Sequence, residues 1–290
     1  MSRTAYLAVL TCFISALAWR GSAATVLVPN PDDGAVRNSV YTSDYFNLSY
    51  PLPSGWTEGT AGPGPSVSGY YVLSTFVPAG ELNGTILLSA QDSFFSNGPS
   101  GSAMDVAVEF GRSMSMVDGM TIDRPPSELR IAGRSFSRVD FSGVGLFRSA
   151  LTTKIRCHFV SFNLTTKNPE LLSTLVQSLN KISFAGDGGR TDPTCIGNYA
   201  DRQHVLAKVD PAAVVPVFVP IPVRMIIGAD GSVEHVHVIR ATAGQRDSIE
   251  RALTQWKFKP WEIDERAAEI ETGLLIKFTP AGGISYLTDR

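Results

Sequence analysis

Between Val217 and Phe278 the chain carries two β-patterned runs, Pro222–Ile227 and Val233–Ile239, separated by Gly228-Ala229-Asp230-Gly231. An Asp-Gly pair between apolar runs specifies a hairpin, because Gly supplies the positive φ that the turn needs. Ile249, Ala252, Leu253 and Trp256 then recur at i, i+3, i+4 and i+7, which puts them on one face of a helix over Gln245–Gln255. Pro260 forces an extended chain after Trp256-Lys257-Phe258-Lys259. A third run, Ile270–Phe278, closes the unit. The pattern reads β-β-α-β: a small antiparallel sheet with one helix across it. Gly231 at the turn and Trp256, Phe258 and Pro260 after the helix are its structural residues.

These residues resemble the C-terminal domain of the TonB family. The resemblance rests on the Asp230-Gly231 hairpin, the run Val233–Ile239, the helix ending in Gln255-Trp256-Lys257-Phe258-Lys259-Pro260, and the last strand to Phe278. The family opens with a Tyr-Pro segment and a short helical stretch, where this chain has the Pro-rich sequence from Asp210 to Pro222. The resemblance implies a protein-binding module that pairs a partner's extended segment along the edge of its last strand. Carried onto this chain, the partner-binding edge is Ile270, Glu271, Thr272, Leu274, Ile276 and Phe278. Glu269 and Glu271 would steer a partner or block unwanted pairing; the second is the commoner role of edge charges.

The first half reads differently. A strand is expected at Tyr45–Tyr50, then strands at Tyr70–Phe76 and Thr85–Gln91, then a helix over Ser102–Val117 capped by Ser102 and Asp105. Met104, Met114, Met116 and Met120 are expected as core filling. Further strands are expected at Leu129–Ile131, Arg134–Ser142, Gly145–Leu151 and Thr153–Phe162, with turns at Ala132-Gly133 and Ser142-Gly143. A second helix starts at Asn168-Pro169-Glu170 and presents Leu172, Leu175, Val176 and Leu179. Strands dominate without βαβ alternation, so the fold class is α+β, a mostly antiparallel sheet with two packed helices. Phe46-x-Leu48-x-Tyr50-Pro51 leading to Pro53-x-Gly55-Trp56 resembles the PsbP-like fold of exported domains.

At the start, Arg3, the apolar run Ala5–Trp19 and the small residues 21–24 have the parts of a secretory signal peptide. The run is shorter than the about 20 residues a membrane span needs, and an uncleaved anchor is the alternative. The expected organisation is a signal peptide at 1–24, a PsbP-like domain at 40–185, a linker at 186–215 and a TonB-like domain at 216–280. Two cysteines lie beyond the signal segment, Cys157 and Cys195. In an exported chain an even count points to a disulfide; two thiols far apart in the fold are the other possibility.

A persuasive catalytic constellation is missing. His235 and His237 share one face of a strand but lack a third ligand, and a solvated strand face accounts for them, so no metal is expected. Phosphate-loop and dinucleotide fingerprints are absent, and no cofactor is expected. A net charge of −2 without a basic cluster argues against nucleic acid as a partner. The expectation is therefore a non-enzymatic, periplasmic or secreted envelope protein that binds a protein partner. One alternative is a membrane-anchored energy transducer for outer-membrane transport; Ala5–Trp19 lacks the His that the TonB family's anchor carries. Another is a hydrolase with a pocket in the first domain.

Overall fold

The computed structural model describes residues 29–81, 83–98, 101–185, 193–212, 219–279 and 283–287. The expected signal peptide at 1–24 and part of the expected linker thus lie outside the described residues. In chain order the first unit runs β1 (Ala35–Arg37), β2 (Val40–Ser43), β3 (Leu48–Pro51), β4 (Trp56–Glu58), β5 (Tyr70–Pro78), β6 (Gly84–Asp92), α1 (Ala103–Ser115), β7 (Met120–Ile131), β8 (Arg134–Gly143), β9 (Leu146–Ile155), β10 (His158–Thr166), α2 (Pro169–Ser178) and β11 (Ser183–Phe184). The second runs β12 (Thr194–Cys195), β13 (Val205–Ala207), β14 (Ile221–Ile227), β15 (Val233–Val238), α3 (Ala243–Leu253), β16 (Lys257–Phe258), β17 (Trp261–Ile263), β18 (Arg266–Ala268), β19 (Ile270–Phe278) and β20 (Ile284–Leu287).

The class is sheet-rich α+β, as expected. A seven-stranded antiparallel sheet, β4-β5-β6-β10-β9-β8-β7, faces a smaller one, β1-β2-β3-β11. Tyr41, Phe46, Tyr50, Phe76 and Phe162 fill the core with Leu172 and Leu175 of α2. Asn168 caps α2 as read from the sequence, its Oδ1 accepting the Glu170 and Leu171 N–H groups at 2.8 and 3.0 Å. Ser102 and Asp105 form the expected capping box of α1.

Several boundaries differ, for local reasons. Two-residue turns with positive φ at both positions join β7 to β8 (Ala132-Gly133), β8 to β9 (Val144-Gly145) and β9 to β10 (Arg156-Cys157). This conformation matches the twist of the paired strands. The expected strand Thr153–Phe162 is therefore cut at Arg156-Cys157, a turn whose composition gives no Gly or Asn signal. The turn placed at Ser142-Gly143 falls two residues later, at Val144-Gly145. Helix α1 stops at Ser115, which leaves Met116 at its C-cap and 68% exposed; Met116 is not core filling. Tyr45 and Phe46 are buried in a turn ahead of β3 rather than within a strand.

The second unit keeps the β-β-α-β order and adds to it. The sheet is β12-β19-β14-β15, with β20 also on β19. Gly231 has φ 78°, and a Cβ there would run into the Phe258 carbonyl oxygen, whose own N–H bonds Gly231 O at 2.8 Å. Both constraints require Gly. Trp256 and Phe258 are fully buried, with Trp256 Nε1 donating to Val209 O at 2.8 Å.

The expected linker is, over 193–212, a strap bound to the second unit. Strand β12 pairs in parallel with β19, β13 pairs with β16, and buried Tyr199 donates to Lys259 O at 2.5 Å. Cys195 at the strap's start is bonded to Cys157 of the first unit, with Cα atoms 5.6 Å apart. The loop so closed stabilises by about 4 kcal/mol in the chain-entropy model.

Trp256→Ala is expected to cost about 3–5 kcal/mol in urea unfolding, since it removes both a large buried ring and the Nε1 bond to the strap. An unchanged midpoint would place the ring outside the core.

Candidate functional site

Strand β19 carries every residue of the expected partner-binding edge, and the structure corrects its position. On one side β14 pairs with it from Ile270 to Ile276. On the other, β12 covers Ile270 and Glu271, and β20 covers Leu275 to Phe278. Ile270, Glu271, Thr272, Leu274, Ile276 and Phe278 are all buried. The strand is internal because the chain supplies its own neighbours from the strap and from the segment after Phe278.

Its two faces divide by parity, as strand geometry dictates. Ile270, Leu274, Ile276 and Phe278 face α3 together with Val223, Met225, Ile249, Leu253 and Trp256. Glu271, Gly273 and Leu275 face the first unit. A Cβ on Gly273 would lie 2.6 Å from Phe94 Cβ, so the glycine admits the Phe94-Phe95 loop. Leu275 and Ile239 join the first unit's hydrophobic core. Glu271 is thus an interior charge and not a gatekeeper.

A buried ionic bridge holds this contact. Arg224 Nη1 donates to Asp92 Oδ2 at 2.5 Å, and its Nη2 donates to Glu271 Oε2. Arg156 Nη2 donates to Glu271 Oε1 at 2.5 Å, and the Arg156 guanidinium lies 4.4 Å from the centre of the Tyr45 ring. The Phe94 N–H completes the Asp92 shell at 2.8 Å. Two carboxylates balance two guanidiniums. Burial works against the Arg224 charge, but Asp92, Tyr45 and Glu271 outweigh it and hold the group protonated. Burial raises the Asp92 carboxyl, with Arg224 opposing.

His158, His235 and His237 sit around this bridge, whereas His204 pairs with Asp201 in the strap. His158 is fully buried against Tyr45, Phe46 and Tyr71, with Nε2 3.7 Å from Asp92 Oδ2. His237 stacks on Tyr71, and His235 Nε2 is 3.3 Å from Asn30 Oδ1. The solvated face expected for His235 and His237 is instead packed between the units. Burial, then the nearby Arg224 charge, pushes His237 down to about 3 and His158 well below the usual range, so both are neutral. Among the described residues no group of three His, Cys, Asp or Glu side chains could hold a metal.

Sequence reading missed Asp92, Arg156, His158 and Arg224 as a set. The one available signal was Arg224, a lone charge inside the apolar run Ile221–Ile227.

The second feature is a groove of about 650 Å³ walled by β13 and β20 and floored by Trp256. Val205, Leu206 and Ala207 all line it, as do Ile284, Ser285 and Tyr286. Among the described residues β13 pairs only with β16 and β20 only with β19, so each keeps one unpaired backbone edge. Lys208 Nζ lies 4.0 Å from the Tyr286 ring centre, and Tyr286 donates to Asp210 Oδ1 at 2.8 Å, which fixes one end.

No protein-family model matches the chain, and no curated protein matches it. Among solved structures it aligns with cyanobacterial PsbP (CyanoP) from Synechocystis at 17% identity, over 52% of this chain and 96% of that one, with a TM-score of 0.38. It aligns with LpqN, involved in cell envelope biogenesis of Mycobacterium tuberculosis, at 14% identity over 47% and 82%, TM-score 0.33. A Bacteroides thetaiotaomicron protein aligns at 16% identity over 59% and 50%, TM-score 0.30. CyanoP is a PsbP protein, the kind that the stretch from Phe46 to Trp56 resembles. Among the described residues no helix is long and apolar enough to cross a membrane.

Two outcomes are expected of the bridge. Arg224→Met should destabilise by about 3–5 kcal/mol, because Asp92 and Glu271 are left buried and unpaired; a loss under about 1 kcal/mol would mean the charges are solvated. Acid should also destabilise. Below about pH 6.5 the unfolded histidines take up protons that folded His158 and His237 refuse, so stability falls by about 1.4 kcal/mol per pH unit for each. For His237 this continues down to about pH 3. Stability in urea should fall by about 3–4 kcal/mol between pH 7.5 and 5, and His237→Gln should remove about half of that slope.

Proposed function

We propose that this chain is an exported, non-enzymatic envelope protein that binds an extended segment of a protein partner by adding it as a strand to the C-terminal sheet. The groove between β13 and β20 carries this reading. Strands with an unpaired backbone edge wall it on both sides, and an added strand is held through main-chain hydrogen bonds while side-chain pockets select its sequence. Leu206, 62% exposed beside the groove, offers an apolar contact. Strand β20 offers four residues, Ile284–Leu287, along which an added strand would span roughly 13 Å.

The resemblance of 217–278 to the TonB C-terminal domain supports the same mode of binding. The acceptor position it implied, along β19, is filled from within the chain, so the reading moves the partner outward to β20. The buried charges serve a different purpose. Asp92, Arg224 and Glu271 are enclosed between the units and bonded to each other, with His158 and His237 buried against aromatic rings beside them, which suits a mechanical joint better than a reacting centre.

Site-specific photo-crosslinking in the native envelope tests the proposal. A benzophenone side chain at Leu206 or Ser285 is expected to give a discrete adduct with a partner protein. The same group at Val144, 84% exposed at the β8–β9 turn, should give none. Absence of adducts from the groove positions, or equal labelling from Val144, would overturn it.

A further inference from the structure

We propose that β12 is a disulfide-held strand occupying an acceptor position on β19, and that reducing Cys157–Cys195 opens that position to an extended segment of a protein partner. The proposal rests on the reading of the C-terminal sheet as a strand-binding module, and adds a control to it.

The observation is one of coverage. On the side of β19 away from β14, β20 takes Leu275 to Phe278 and β12 takes only Ile270 and Glu271. With β12 gone, the edge from Ile270 to Leu274 would be open. Strand β12 holds its place by few contacts of its own. Thr194 N–H donates to Glu269 O at 3.3 Å and Ile196 N–H to Glu271 O at 2.9 Å, and Ile196 is only partly buried. A ladder this short is marginal without a covalent tether. The tether is the disulfide, which fixes β12 to the Arg156-Cys157 turn.

The two sulfurs differ in access. Cys157 is 1% exposed, whereas Cys195 lies at the surface. An external dithiol can therefore attack only Cys195 Sγ in line. Its first thiolate forms a bond to Cys195 Sγ as the Cys157–Cys195 bond breaks, and Cys157 leaves as a thiolate that takes up a proton. The second thiol of the dithiol then attacks the mixed disulfide and releases Cys195 as a thiol. The dithiol is oxidised to a disulfide, and two electrons and two protons pass to the protein. The freed turn has positive φ at Arg156 (51°) and Cys157 (56°), neither of them glycine. It loses the disulfide and keeps the Arg156–Glu271 ion pair and the two hydrogen bonds from Ser93 to Cys157 O.

What β12 is made of indicates what would replace it. Thr194-Cys195-Ile196 runs parallel to β19 and brings Ile196 against the second core. The occupant is thus an extended peptide lying parallel, with an apolar residue two positions after its first ladder residue.

Amide exchange on the full chain, oxidised and then reduced with dithiothreitol, is the test, with the pentapeptide Pro-Thr-Ser-Ile-Gly as probe. This is the sequence of 193–197 with serine in place of the cysteine. On reduction, exchange at Glu271 and Gly273, which alternate outward toward β12, should rise roughly hundredfold as the tethered strand loses its effective concentration. Exchange within β14 should hold. The peptide should perturb the amides of 270–274 in the reduced protein and not in the oxidised one. Thr194→Pro, which removes the N–H donated to Glu269 and leaves the disulfide intact, should raise exchange without reductant. This covers the case where a cysteine-free variant fails to fold. Unchanged exchange on reduction overturns the gate. Raised exchange without peptide binding overturns the acceptor role of β19, while the groove between β13 and β20 is judged separately by its crosslinks.

Discussion

Arg224 has nowhere to go but between two carboxylates. It stands in a strand whose residues are all buried, and its guanidinium reaches Asp92 of the first unit with one nitrogen and Glu271 of its own sheet with the other. A charge so placed is tolerable only with both partners present. The bridge therefore makes each unit a condition for the other. Without the first unit, the sheet of the second would present Arg224 and Glu271 beside the apolar Ile226 and Leu275. Without the second, Asp92 and His158 would sit at an open end among Tyr45, Phe46 and Tyr71. The aromatic wall around the bridge keeps water out and so strengthens the ion pairs, and the same wall is why the histidines cannot afford a proton.

This arrangement makes a three-layer second half out of a two-layer pattern. A β-β-α-β sheet covered by one helix leaves its other face bare. Here that face is covered by the Phe94-Phe95 loop, with Gly273 admitting Phe94 and Leu275 joining the first core. The strap from Thr194 to Asp210 then wraps the helix side, where Trp256 binds it through Val209 O and Tyr286 through Asp210. Among the described residues, the groove between strap and β20 stays open.

The sequence made the local elements legible and left their assembly hidden. Periodicity marked α2 and α3, and Asp230-Gly231 marked the β14–β15 hairpin, because each signal lies within a few residues of what it specifies. The cut at Arg156-Cys157 was not legible, since the turn is fixed by a disulfide and an ion pair to residues far along the chain. His237 looked like a solvated strand residue because alternation shows that two faces exist, not what lies opposite each. Glu271 had the look of an edge charge for the same reason: β12 and β20, which remove the edge, come from outside the patterned stretch. Parity within β19 did carry a clue, as Glu271 and Gly273 break the apolar run on one face only.

The spacing of the bridging residues also orders events during synthesis. Arg156 and Glu271 are 115 residues apart, and Tyr45 and Glu271 are 226 apart. A chain emerging from its N-terminus completes β10 and α2 long before β14 or β19 exists. Over that interval Asp92 and the Arg156-Cys157 turn have no counter-surface, and Cys157 meets Cys195 before β19 can tell the strap where to lie. Oxidation at that stage would join the two units while the strand that β12 must flank is still unmade. The contacts that close the joint are among the longest-range in the molecule, so they form late, and a newly made chain would spend its most vulnerable moments as a finished first unit carrying a stapled, unplaced strap.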